Sequence, residues 1–206
     1  MFAAIILILL AVLSRLLPTL DLSLSNFAPF CAIAFCGSVY FRKPWMWALS
    51  FLAFELSDVF LNNFHATEYG FYWSFGGFLA RSSCFAAALF LGTWVAKRKS
   101  WRWLLSGSFL GALLFYLVTN TQSWFTDPFY SKSLAGWWQA LTTGHPEYLP
   151  TIYFFQKTLF GDLLFTGLFS GVMEWLAQRQ DEPSLLDPEE EETVDEDQPV
   201  EAEAKE

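Results

Sequence analysis

Charge is scarce in most of this chain. Asp, Glu, Lys and Arg make up 16% of the 206 residues, and the net charge is −9. Even that small share is lopsided. Residues 181–206 hold 13 of the 21 acidic groups beside a single base, Lys205. The preceding 180 residues carry 11 basic and 8 acidic groups, alongside all 23 Phe and all 10 Trp. So few charges cannot cover a soluble globule of that apolarity, and a soluble acidic domain is excluded.

Reactive groups are equally sparse. Cys31, Cys36 and Cys84 lie in apolar runs, without the spacing of a zinc site or the even count of a disulfide framework. The two histidines, His65 and His145, fall in connections between apolar segments. There is no phosphate loop, no Gly-x-Ser-x-Gly and no His-Glu-x-x-His. Nothing supplies a nucleophile or a third metal ligand beside Glu55 and Asp58, so neither an enzyme nor a cofactor is expected. Nor is a nucleic-acid partner. Without an ATP site, active transport would need an ion gradient or a partner carrying the motor.

What is present is apolar sequence of membrane-crossing length, roughly 17–25 residues per segment. The expected fold class is all-α: a polytopic membrane protein with a six-transmembrane-helix bundle over residues 1–179. The helices are expected at 2–17, 26–41, 45–62, 75–96, 103–125 and 150–177. The first lacks the basic start and small-residue cleavage site of a signal peptide, so it reads as an uncleaved helix. Ser25 or Asn26 can cap the second, with Pro29 in its first turn. Ser133 to Leu141, with Trp137 and Trp138, reads as a helix lying on the membrane surface. Residues 180–206 repeat Glu and Asp without aromatics and read as a disordered acidic tail.

Basic residues set the expected orientation. Arg42, Lys43, Lys97, Arg98, Lys99 and Arg102 fall in two short loops on one side of six crossings. Loops 18–25 and 63–74 have neither Lys nor Arg. The positive-inside rule makes the basic side cytoplasmic in a cell (inner) membrane, with both termini there.

That topology gathers the embedded polar residues in the outer half. Arg15, Asn26, Glu55, Asp58, Arg81, Asn120, Gln122, Lys157 and Asp162 all fall there or near the midplane. Glu55, Asp58 and Asn62 share a helical face, as do Thr119, Asn120 and Ser123. Charges in hydrocarbon cost about 2.5–3.5 kcal/mol each even on the mild insertion scale, so they should face the bundle interior. Two readings follow. Arg15, Arg81 and Lys157 balance Glu55, Asp58 and Asp162 and can form structural ion pairs. Alternatively, the neutral amides beside them indicate a pocket open to the outside. Toward the cytoplasmic end, Gly107-x-x-x-Gly111 and Gly167-x-x-x-Gly171 suggest close helix packing.

Four stretches carry a resemblance. They are Asn26-Phe27-Ala28-Pro29-Phe30 leading to Phe35-Cys36-Gly37, Glu55-Leu56-Ser57-Asp58, Thr119-Asn120 with Trp124, and Thr158-Leu159-Phe160-Gly161-Asp162. Over roughly residues 1–178 the chain resembles a family of uncharacterised six-helix bacterial membrane proteins. That family is similar to the substrate-binding S components of energy-coupling-factor vitamin transporters. The resemblance implies an outward-facing pocket and docking on a membrane coupling protein with ATPase subunits through an Ala-x-x-x-Ala motif. Ala28 and Ala32 match the motif, on helix two rather than the expected helix one.

The expected function is therefore a membrane-embedded substrate-binding subunit of a small-molecule uptake system, energised by a separate partner. Its ligand is a polar or zwitterionic micronutrient. Arg15, Arg81 and Lys157 would hold anionic groups; Glu55, Asp58 and Asp162 would hold cationic ones. Asn26, Asn120 and Gln122 would add neutral hydrogen bonds, and Tyr72 and Trp124 would stack on a ring. The alternatives are a non-transporting membrane scaffold held by ion pairs, and a proton-coupled secondary transporter using Glu55 or Asp58.

Overall fold

A computed structural model describes residues 2–17, 29–41, 44–64, 74–98, 100–180 and 184. The expectations for Asn26, Tyr72, the loops 18–25 and 65–73, and nearly all of the acidic tail lie outside the described residues. Among those described there are seven α-helices and no strand. They are α1 (Phe2–Ser14), α2 (Phe30–Tyr40), α3 (Pro44–Phe64), α4 (Phe75–Val95), α5 (Trp101–Thr126), α6 (Leu134–Leu141) and α7 (Thr151–Arg179).

Among the described residues, three of the six expected crossings, α4, α5 and α7, are long and apolar enough to span a bilayer. At about 1.5 Å per residue they reach roughly 31, 39 and 43 Å. The helix α3 has 21 residues, but Glu55, Asp58, Ser50, Ser57, Asn62 and Asn63 lower its apolarity. The helices α1 and α2 have 13 and 11 residues, shorter than the apolar runs that contain them. The helix expected at 26–41 begins only at Phe30, just after Pro29.

That short helix is the centre of the molecule. Every residue from Cys31 to Val39 is buried. A helix that is apolar or small-sided all round has no solvent face and belongs inside. It packs against α3, α4, α5 and α7. Three glycines allow the close approach. A Cβ at Gly92 of α4 would strike Ser38 and the Phe35 carbonyl, and one at Gly107 of α5 would meet the Phe35 ring. Gly111 touches Cys31, whose Sγ donates to the Gly111 carbonyl at 3.2 Å. The pair Gly107 and Gly111 thus faces α2.

The other pair does not. Gly167 and Gly171 have no atom within 4 Å of a Cβ position among the described residues. The buried side of α7 is instead the row Thr158, Asp162, Thr166, Ser170 and Glu174. Residues four apart form one ridge of a helix. Gly167 and Gly171 each follow a member of that ridge by one residue, about 100° round the axis.

The polarity is inside out. The buried ridge of α7 is polar, whereas Phe160, Leu168 and Trp175 on its other sides are exposed. Leu9, Leu10 and Leu13 of α1, Leu52 and Leu56 of α3, and Phe90 of α4 are likewise exposed. Apolar outer faces this extensive are unlike a soluble monomer and suit hydrocarbon.

Candidate functional site

Four of the expected charged residues meet at one end of the bundle. Arg15 follows the last turn of α1, Glu55 and Asp58 lie one turn apart on α3, and Arg81 is in the second turn of α4. Asp58 bridges both arginines, with Oδ1 at 3.2 Å from Arg15 Nη2 and Oδ2 at 3.3 Å from Arg81 Nη2. Arg81 also grips Glu55 with two bonds, Nε to Oε1 at 3.3 Å and Nη2 to Oε2 at 3.1 Å. The Arg15 guanidinium lies 3.6 Å from the centroid of the Phe54 ring. Two positive and two negative groups therefore neutralise one another, three of their side chains at 18% exposure or less and Arg15 at 8%.

Asp162 stands apart from this cluster. It is fully buried on α7, and its Oδ1 accepts the Ala32 backbone N–H at 2.8 Å. The reason lies in Pro29. Proline provides no capping side chain, and the first turn of α2 has no cap of its own. The orphan amides of that turn need an acceptor, and Asp162 supplies it from another helix. Its Oδ2 has no partner among the described residues. Further along the ridge, Thr166 pairs with Ser108 at 2.9 Å, and Tyr40 donates to Glu174 at 2.8 Å. Cys36 and Tyr40 come within reach of Ser170, although its hydroxyl makes no bond of good geometry.

A cavity of about 300 Å³ opens between the end of α5 and the start of α7. Phe115, Tyr116, Phe154 and Phe155 wall it. The Tyr116 and Phe155 rings lie 4.6 Å apart. Thr119, Asn120 and Ser123, on one face of α5, form its polar side, with Asp127 beyond them. Tyr130, His145 and Tyr148 come from the connection that joins α5 to α7. Burial, then the neighbouring Asp127 carboxylate, raises the Tyr130 phenol above its ordinary value.

That connection folds back onto α5 through specific bonds. Trp124 Nε1 donates to the Ser131 carbonyl and Trp137 Nε1 to Thr121 Oγ1, at 2.8 and 2.9 Å. Tyr116 donates its hydroxyl to the Leu141 carbonyl. Ser133 caps α6 by accepting the Gly136 N–H at 3.2 Å. Leu134 and Trp138 of α6 point outward, at 84% and 63% exposure.

Of the residues expected to bind ligand, Asn120 lines this cavity. Arg15, Glu55, Asp58 and Arg81 do not line it and pair together. Gln122 turns to Thr126 at 3.3 Å, Lys157 is half-buried beside the cavity residue Thr158, and Asp162 caps α2. Trp124, expected to stack on a ring, pins the connection instead. Sequence reasoning missed Tyr116, Asp127, Tyr130 and Tyr148. Tyr116 lies one turn before Asn120 and was findable from that face. The others reach the cavity only because the connection folds back.

Fold and site together define an all-helical protein with membrane-length helices, apolar outer faces and a polar, aromatic-walled cavity at one end of its bundle. Residues 1–185 match the model of a family described as "Family of unknown function (DUF6580)", and the chain belongs to that family. No curated protein and no solved structure matches it.

Proposed function

We propose that this protein is a membrane-embedded, six-crossing substrate-binding subunit of a small-molecule uptake system. Its ligand occupies the cavity between α5 and α7, on the outer side of a cell (inner) membrane, and a separate partner supplies the energy. The cavity carries this reading. Small-molecule sites are concave, mostly apolar and aromatic, with a few placed polar groups, and begin at about 300 Å³. This one joins Asn120 and Thr119 to aromatic walls. The basic loops at 42–44 and 97–102 support cytoplasmic termini. The resemblance to S components supports a coupling protein with ATPase subunits as the partner.

The test is mass spectrometry of small molecules retained by the purified protein. The native chain should copurify with a compound that Asn120→Leu releases, with the unfolding temperature nearly unchanged. Asn120 is only half-buried and its known bond is to its own helix, so the loss is local. An identical set of retained molecules in both proteins would remove the assignment.

The cluster of Arg15, Glu55, Asp58 and Arg81 favours a second reading, a non-transporting scaffold braced by ion pairs. That reading predicts that nothing copurifies and that cluster variants alter stability alone.

A further inference from the structure

We infer that the cavity between α5 and α7 selects organic cations, namely a protonated amine carried beside an aromatic ring. The inference rests on the ligand-binding reading above and names its substrate class.

Charge comes first. Among the described residues the lining contains one carboxylate, Asp127, one imidazole, His145, whose Nδ1 accepts the Glu147 N–H at 3.3 Å, and neither lysine nor arginine. The nearby Lys132 ammonium donates to the main-chain carbonyl of Asp127 at 2.7 Å and to that of Trp124. Lys157 and Glu147 are not in the lining. An anion entering here would lose water and meet a like charge, with no lysine or arginine among the described lining residues to receive it.

Hydrogen-bond capacity points the same way. Thr119 donates its hydroxyl to the Phe115 carbonyl, and Asn120 donates an N–H to the Tyr116 carbonyl, each at 2.8 Å. That second bond fixes the amide orientation, because a carbonyl can only accept. Tyr116 donates its hydroxyl to Leu141. Lone pairs on Thr119 and Asn120 remain for a ligand. Asp127 Oδ1 accepts the Phe129 N–H at 2.9 Å, and no bond engages its other oxygen among the described residues. Thr119, Asn120 and Asp127 thus offer acceptors to a ligand that brings N–H donors.

The walls supply the third term. Aromatic faces carry negative potential and attract cations placed over them. Phe115, Tyr116, Phe155 and Tyr130 line the same cavity as the acceptors just named. A cavity of about 300 Å³ has room for one ring and a short ammonium arm.

Three probes isolate the charge: phenethylamine, phenethyl alcohol and 3-phenylpropionate share a phenyl ring and a two-carbon tether. Each is titrated by calorimetry into the purified full-length protein in detergent micelles near neutral pH. The amine should bind at least about tenfold more tightly than the carboxylate, with the alcohol between them. Asp127→Asn keeps the oxygen that Phe129 uses and should bring the amine to the alcohol's affinity. Tyr148→Leu, at an exposed rim position, should weaken the amine more than the alcohol and guards against misfolding of the first variant. Carboxylate binding equal to the amine's, or amine binding indifferent to both substitutions, overturns the cation assignment while leaving the cavity a ligand site. Failure of all three probes to bind, with the retained molecules also unaffected by Asn120→Leu, overturns both.

Discussion

Replacing Asp58 by Asn tests the charge network with little change of shape. Asp58 touches both arginines, at 3.2 and 3.3 Å. At an effective dielectric of about 20, each such contact is worth roughly 5 kcal/mol of Coulomb attraction before desolvation. Desolvation cancels much of this, and breaking one buried pair typically costs about 3–5 kcal/mol net. The variant leaves Arg15 and Arg81 with Glu55 alone, so one buried positive charge goes uncompensated. Glu55→Gln should cost less, because Glu55 contacts Arg81 and Asp58 still serves both arginines. The chain carries its own reporter: Cys31, Cys36 and Cys84 are free and buried, and a thiol-reactive fluorophore lights up as they become exposed. At about 3 °C per kcal/mol, Asp58→Asn should lower the unfolding temperature by on the order of 10 °C. Adding Arg15→Met removes the surplus charge, so the double variant should lose about 1–3 kcal/mol less than the sum of the singles. Additive losses, or a shift below about 2 °C for Asp58→Asn, would refute the claim that Asp58 binds this end of the bundle together.

Two further predictions concern helix packing. Gly107→Leu should lower stability by about 1–3 kcal/mol through overpacking against Phe35, whereas Gly167→Ala should raise it by about 0.5–1 kcal/mol, since the site is open and alanine favours helix; equal effects in a thiol-exposure melt would contradict the assigned faces. Asp162→Ala should cost about 1–2 kcal/mol by leaving the Ala32 amide without its acceptor, and Asp162→Asn clearly less because an amide oxygen can still accept. Equal melting temperatures for those two variants would show that Asp162 does not cap α2.

Much of the fold was legible one helix at a time. The runs at 75–96, 103–125 and 150–177 appear as α4, α5 and α7 within a few residues, because apolar length is a local property. The short helix after Ser133 was equally local, with a capping serine before an amphipathic turn. The shared face of Thr119, Asn120 and Ser123 could be read from helical spacing, and all three line the cavity. The second helix was harder. Its apolar run suggested a start at Asn26, but its first turn receives an acceptor from Asp162, 130 residues away. No local pattern contains that partner. The glycines show the same limit: Gly107 and Gly167 head identical spacings, but among the described residues only the first faces another helix, and Gly92 packs tightly although no glycine stands four residues from it.

By itself, then, the sequence determined the kind of solvent this chain is built for. With 11 basic and 8 acidic groups spread through 180 residues, its helices had to turn apolar sides outward and gather their polar groups inside. It also placed both positive and negative groups within the apolar segments, where each needs compensation. Only the tertiary structure decided how they are shared out. Arg15, Glu55, Asp58 and Arg81 neutralise one another, Asp162 caps a helix, and the cavity is lined by Asn120 with Asp127 and a set of rings. The physical reason is that Coulomb attraction and hydrogen bonding act over a few ångströms of space. Which groups come that close depends on how α1, α3 and α4 meet at one end and how residues 127–150 fold back over α5, and helical spacing carries no information about either.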